Sequence, residues 1–287
     1  MSELEVMIGE HIPPVKRFGG PGTSTFYRTA YTEVEGHIEY LSINNKGLTD
    51  LPDSLSDLEA IQYLYLRDNH LQTIPPCVCR LDTLLDIDVF NNEIVEIPRE
   101  IGDMTNLQRA DLSRNQFRYL PNSVGHLSSL RRLGLMNVQL MELPETIGEL
   151  GNLWDLAIFI NNLVALPESI GKMTNLERLT AHKNELVSLP DSLGKIPNLK
   201  QLSLSDNRLA SLPDNIGSLT SLTSLNIDGN QLTSLPKSII NLDGLQGINL
   251  RGNRFRTLPE ETVEWLQKLQ LKGCRIRIDE KHRILAT

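Results

Sequence analysis

The chain has 287 residues, a formal net charge of −8, 40% hydrophobic residues and 22% charged residues. That length holds one large domain or two ordinary ones, and the composition is that of a soluble globular protein. The acid excess excludes a phosphate-backbone ligand, which needs a basic face, and no apolar run approaches the roughly 20 residues of a membrane-spanning helix.

At the start of the chain, Met1 to Val6 has neither a basic start nor an apolar stretch, so no signal peptide is expected. Residues 1–37 carry no repeat. They hold a Gly19-Gly20-Pro21-Gly22 turn and then a polar, β-prone stretch from Thr25 to Glu35. The glycines lack the Gly-Lys-Ser/Thr of a phosphate loop, so they read as a turn. Residues 1–37 are expected to form an N-terminal cap.

From residue 38 a phrase recurs: Leu-x-x-Leu-x-Leu-x-x-Asn-x-Leu-x-x-Leu-Pro. Its first apolar position falls at Ile38, Ile61, Leu84, Leu107, Leu130, Leu153, Leu176, Leu199, Leu222 and Leu245, a step of 23 residues each time. Ten such units are expected over 38–265, with a terminal partial repeat and C-terminal cap over 266–287. The stretch around Leu-x-Leu alternates, so it predicts a short strand with leucines inward and polar residues outward. One unit cannot bury its leucines alone, so neighbours must stack. An asparagine then turns the chain at Asn69, Asn92, Asn115, Asn161, Asn184, Asn207, Asn230 and Asn253. Lys46 and Val138 replace it in two units, and Cys274 is expected to hold that position in the last. Proline follows and opens a short helical turn, with an acid after it at Asp53, Glu145, Glu168, Asp191, Asp214 and Glu260. An acid there offsets the partial positive charge of a first helical turn, which accounts for much of the net charge. Toward the end, Thr262 to Leu271 with Trp265 predicts a longer helix and a closing strand.

This pattern resembles the leucine-rich-repeat family. The 23-residue unit with Leu-Pro-x-x-Ile-Gly is similar to the class of plant intracellular Ras-group-related repeat proteins and to the repeat modules of some bacterial effectors. The resemblance implies an α/β solenoid: a right-handed arc with a parallel sheet on its concave face and short helices or 3-10 turns on its convex face. It also implies that each asparagine side chain bonds backbone groups of the adjacent coil. It is nearly silent on function, because one scaffold serves many partners.

Catalytic and metal chemistry is weak in this sequence. Cys77, Cys79 and Cys274 are an odd, sparse set and make no disulfide framework, and no Asn-x-Ser/Thr sequon occurs. Both points favour a reducing, cytoplasmic setting. Cys79 stands where other units have Gly102, Gly125, Gly148 and Gly171, so it reads as a small packed residue rather than a zinc ligand. No histidine pairs with a nearby Ser or Cys nucleophile. Asp86, Asp88 and Asp111 lie on the outward face of adjacent strands, where paired carboxylates can do acid–base work or hold a cation. Arg109 is the lateral neighbour of Asp86, and a charge ladder on an exposed sheet is the commoner explanation. Neither enzyme activity nor a cofactor or metal is expected.

Stacked strands place equivalent residues about 4.8 Å apart in rows. One row carries Tyr63, Asp86, Arg109, Arg132, Asp155 and Arg178, and the next carries Tyr65, Asp88 and Asp111. A third carries Phe90, Met136, Phe159 and His182, with Trp154 and Ile160 in adjoining outward positions. From Gln201 onward the same rows turn small and polar. Exposed aromatics, Met and Arg are enriched at interface hot spots. Opposite charges along a row, such as Asp155 between Arg132 and Arg178, also serve simply to satisfy each other. The expectation is a monomeric interaction module, acting as scaffold, adaptor or inhibitor, that binds a protein through these residues without nucleic acid or membrane. The alternative is a secreted host-directed effector, or a targeting module of a larger enzyme such as a ubiquitin ligase. Few residues follow the last repeat, so no catalytic domain is expected there.

Overall fold

The computed structural model describes residues 2–15 and 29–279, and the Gly19–Gly22 turn lies outside these. The chain divides into two compact units, Met1–Gln139 and Leu140–Thr287. Within each, strands follow one another in chain order.

The first unit opens with helix α1 (Ser2–Ile8). Leu4 and Ile12 are buried, and the Glu5 carboxylate accepts the Ile12 amide at 3.0 Å, which ties the helix to the segment after it. Strand β1 (Ala30–Val34) then runs antiparallel to β2 (His37–Ser42). Between them Glu35 and Gly36 both have positive φ, 51° and 84°, as the tight hairpin turn requires. This hairpin covers the free edge that the first repeat strand would otherwise expose. Strands β3 (Tyr63–Tyr65), β4 (Asp86–Asp88), β5 (Arg109–Asp111) and β6 (Arg132–Gly134) continue in parallel, each pairing residue for residue with the strand 23 positions earlier. Proline sets each connecting turn. Pro52 has φ −68° and its carbonyl accepts the Leu55 amide at 2.9 Å, starting a 3-10 turn at Asp53–Asp57. The repeat of Cys79 has a short α-helix, α2 (Pro76–Cys79), in that place.

The second unit repeats the plan with β7 (Asp155–Ala157), β8 (Arg178–Thr180), β9 (Gln201–Ser203), β10 (Ser224–Asn226) and β11 (Gly247–Asn249), all parallel. Its 3-10 turns pack closely. A Cβ on Gly148 would come within 2.3 Å of the Ser169 carbonyl oxygen, and one on Gly171 within 2.4 Å of that of Ser192. The last unit departs from the pattern. Helix α3 (Glu260–Leu271) replaces the 3-10 turn and buries Thr262, Trp265, Leu266 and Leu269. Strand β12 (Arg275–Arg277) therefore pairs with β11 at an offset of 28 residues, Gly247 to Arg275. The expected Cys274 ladder position is corrected by this. The longer helix uses up the register, and Cys274 lies just before β12, buried at the strand's entry.

The asparagines make the ladder. Asn184 donates from Nδ2 to the carbonyls of Ile158 (2.9 Å) and Ala181 (3.0 Å), and its Oδ1 accepts the Leu163 amide at 3.1 Å. Asn69 does the same in the first unit with Ile43, Leu66 and Leu48. The residue before each ladder position, including those of Lys46 and Val138, takes a left-handed conformation, from Asn45 (φ 56°) to Gly252 (φ 64°), which turns the chain out of the strand. The position 21 residues before Val138 is Phe117. Its amide is the one an asparagine at 138 would satisfy, and it has no hydrogen-bond partner among the described residues, although Phe117 is fully buried.

An unsatisfied buried amide costs on the order of 1–3 kcal/mol, and a made hydrogen bond returns about 0.5–1.5 kcal/mol net. Val138→Asn is thus expected to raise stability by about 0.5–1.5 kcal/mol, read as a shift in the urea midpoint at constant m-value. Asn184→Ala should lower it by about 1–3 kcal/mol. A drop for Val138→Asn would mean that methyl packing at Val138 outweighs the missing bond.

Candidate functional site

The residues singled out from the sequence fall in two groups, one in each unit: some lie within the strands, and Phe90, Met136, Trp154, Phe159, Ile160 and His182 flank them. Within the strands the register sets direction: Leu64, Ile87 and Ala110 point into the first unit's core, so their strand neighbours point out.

In the first unit, outward does not mean exposed. Tyr65, Asp86 and Asp88 are buried, with only 1%, 8% and 1% of their surface accessible. This corrects the expectation of an exposed charge ladder. Rows about 4.8 Å apart are covered by any larger side chain that leans across them. The Arg67 guanidinium does so: it bonds the Asp88 carboxylate at 2.7 Å and lies 4.1 Å above the centre of the Phe90 ring. Arg114 stands 5.2 Å from the same ring. Tyr65 donates its hydroxyl to Asp86 at 3.1 Å and packs edge-on against Tyr40, with centroids 5.4 Å apart. Arg109 reaches Asp86 at 3.7 Å. Tyr63, Phe90, Arg109, Asp111 and Met136 are half-buried, and Arg132 is exposed.

This packing shifts the titrations. Burial pushes the Asp88 carboxyl up to about 6, helped by the charge of Asp111 on the next strand and opposed by Arg67. Burial also raises Asp86, against the pull of Arg109. Burial and the Asp86 carboxylate raise the Tyr65 phenol, and burial takes Tyr40 up to about 12. These groups are held by one another and offer no pair of free carboxylates.

In the second unit, Phe159 and His182 stack at 4.5 Å and 19°. Burial holds the His182 imidazole below its ordinary value, with Lys183 adding to the effect, so the ring is neutral near pH 7. Arg178 lies 5.8 Å from the Trp154 ring, bonds Asp155 at 3.2 Å and donates from Nε to Gln201 at 3.0 Å. Asp155 is buried, whereas Trp154, Phe159, Arg178 and His182 are half-buried. Ile160 is 39% exposed and sits at the left-handed turn position with φ 57°, which a β-branched side chain disfavours strongly.

Arg67 and Arg114 are the members that sequence reasoning passed over. Arg67 sits in the row of Phe90, two residues past Tyr65, but only the packed structure shows its guanidinium against the ring. Cys77, Cys79 and Cys274 are free and buried, and burial raises all three thiols. Among the described residues no three His, Cys, Asp or Glu side chains gather as metal ligands would, and no helix is long and apolar enough to cross a membrane.

The repeat geometry agrees with comparison to known proteins. Residues 111–205 match a leucine-rich repeat region, residues 197–242 match a pair of leucine-rich repeats, and residues 60–81 and 220–276 match further leucine-rich repeats. This chain is built of leucine-rich repeats. No curated protein sequence matches it. Among solved structures it is similar to the ectodomain of the Arabidopsis thaliana membrane receptor kinase GASSHO1/SCHENGEN3, in complex with CASPARIAN STRIP INTEGRITY FACTOR 2. That match has 26% identity and a TM-score of 0.74, over 86% of this chain and 31% of the receptor chain. A TDR receptor matches at 25% identity and TM-score 0.73, over 83% of this chain and 42% of that one. The plant peptide hormone receptor RGFR1 in complex with RGF2 matches at 26% identity and TM-score 0.65, over 85% and 44%. The chain spans less than half the length of each of these structures.

Two measurements check the face itself. Folded Asp88 keeps its proton up to about pH 6, whereas the unfolded chain loses it near 3.9. Between those values folded Asp88 binds more proton than unfolded Asp88, so its own contribution to stability is fully present below about pH 4 and is lost as pH rises through about 6. Asp88→Asn mimics the protonated form. It should flatten this dependence and gain about 1–3 kcal/mol at pH 7.5, seen in denaturation at both pH values. Ile160→Asn, a residue that tolerates the left-handed conformation, should raise stability by about 1 kcal/mol. An unchanged melting temperature would show that the isoleucine carries no backbone strain.

Proposed function

We propose that the chain is a protein-interaction module, a scaffold, adaptor or inhibitor, that takes a partner protein or peptide on the outer face of its strands. One observation carries this reading: aromatic rings on the face are paired with guanidinium groups or with another ring, as in Arg67 over Phe90, Arg178 beside Trp154, and Phe159 on His182. Aromatic and arginine side chains supply most hot-spot energy at interfaces. Side chains already held in stacks lose less freedom when a partner arrives, so more of the contact energy appears as affinity. The alternation of Asp and Arg beside the rings orients a partner and rejects wrong ones. Two of the similar structures are complexes with named ligands, CASPARIAN STRIP INTEGRITY FACTOR 2 and RGF2, which supports a binding role for this fold. Three free, buried thiols fit a reducing compartment, so we place the module in the cytoplasm.

The test is a pull-down with the immobilised chain, followed by titration calorimetry with the recovered partner. Phe159→Glu and Arg132→Glu should each weaken binding by at least about 1–2 kcal/mol, with melting temperatures near that of the parent. Ser203→Glu, on the small, polar strand β9, serves as the control and should bind normally. Loss of binding on Ser203→Glu, with the other two variants unaffected, would move the site to the small, polar strands.

A further inference from the structure

Three residues past each ladder position the chain runs along the flank of its coil. In the second unit this place is held by Met141, Val164, Val187, Ala210, Thr233 and Arg256, one per repeat. The leucines on either side, such as Leu163 and Leu166, are buried, so the residues between them point out. Two residues before the row, the amides of Asn162, Glu185, Arg208, Gln231 and Arg254 each donate to a carbonyl of the preceding repeat at 2.9 Å. Those rungs hold the repeats side by side, and the six side chains form one line. Met141, Val164 and Val187 are 46%, 49% and 47% exposed. Among the described residues the second unit exposes two other large apolar side chains, Ile160 and Leu271, and neither lies in this row. Exposed apolar residues are normally scattered singly, whereas a line of them marks a contact. The far end of the row differs. Ala210 and Thr233 are small, and Arg256 is exposed, as is Arg254 two residues before it. At the near end the exposed Glu142 follows Met141. Neither Glu142 nor Arg256 has an ion-pair partner among the described residues.

We propose that this row is a contact between two copies of the chain, packed antiparallel about a two-fold axis, in place of the monomer expected from the sequence. The order of residues along the row selects the occupant. It runs from an acid through apolar and then small side chains to a base, so it is its own complement when reversed. An axis between Val187 and Ala210 sets Val187 against the partner's Ala210 and Val164 against the partner's Thr233. Met141 then lies along the aliphatic stem of the partner's Arg256, and Glu142 faces the guanidinium groups of the partner's Arg254 and the partner's Arg256. The same contacts recur on the other side of the axis, as an isologous interface requires. The Glu185–Arg208 pair, joined at 3.2 Å, meets the small side chains of the partner's Ser188 and the partner's Ser211, so no like charges are brought together. A parallel arrangement would set Glu142 on Glu142 and Arg256 on Arg256. A different protein would have to carry this order in reverse, whereas a second copy already has it. One row is a small contact, so the dimer is weak and forms at high protein concentration. Asp155, Arg178 and the rings beside them take no part in it, so the contact does not depend on the binding role given to the strand face.

The experiment is sedimentation velocity on the full chain over a concentration series. The parent is expected to move from 32.3 kDa toward twice that mass as concentration rises. Val164→Glu, at an exposed position, should keep the chain monomeric at every concentration with its melting temperature unchanged. Glu142→Arg and Arg256→Glu should each weaken the dimer by about tenfold or more, because each sets like charges together. Combined in one chain, the two changes exchange the charges and should recover most of that loss. Phe159→Glu should leave dimerisation as it is in the parent. A parent that stays at 32.3 kDa up to its solubility limit overturns the proposal and leaves the row to a different protein. A dimer that survives Val164→Glu overturns it too, as does a double variant no stronger than the single ones.

Discussion

A coil of 23 residues with leucines on one side has no interior of its own, and everything else here follows from that constraint. Ile61, Leu64, Leu66 and Leu71 reach full burial only because the repeats on either side close over them. Each such side chain contributes about 1.5–3 kcal/mol when fully removed from water. Stacking, however, buries main-chain groups at the turns as well as leucines. The asparagine ladder answers that cost: one side chain satisfies an amide and a carbonyl of the preceding repeat and a carbonyl of its own. The leucines drive the association, and the asparagines allow the backbone to follow.

A plan this regular makes its exceptions informative. The left-handed position tolerates Asn, Asp or Gly at little cost, yet Ile160 occupies it beside the Phe159–His182 stack. The ladder tolerates asparagine best, yet Val138 occupies it one repeat beyond Phe117. Strain and unsatisfied groups that the scaffold could have avoided are where function is to be sought. The terminal exception has a structural purpose instead. Helix α3 is longer than the turns it replaces, and it buries Trp265 and Leu269 where another repeat would otherwise be needed.

The strand face shows how burial changes the meaning of charge. On an exposed sheet, Asp86 and Asp88 would be weak surface partners for arginines. Beneath Arg67 and Tyr65 they become part of the support of the face, with raised proton affinity and no freedom to act as acids or bases on a substrate. What remains accessible beside them in the first unit is the Phe90 ring with the guanidinium groups of Arg67 and Arg114. These side chains have the composition of a contact surface.

The sequence by itself determined the repeat, its 23-residue register, the inward leucines, the turning asparagines and the proline-led turns. Each is a local pattern renewed at every step, and periodicity needs no knowledge of distant contacts to be read. It also gave the alternation within each strand, with Leu64, Ile87 and Ala110 inward, because side-chain direction alternates along the backbone. Only the tertiary structure decided which of the candidate residues stayed accessible: Tyr65, Asp86, Asp88 and Asp155 are covered and Phe90 is clamped. It also decided that α3 shifts Cys274 out of the ladder position. Those outcomes depend on where long side chains from neighbouring repeats come to rest. Rotamers and packing set that in three dimensions, and no pattern along one strand encodes it.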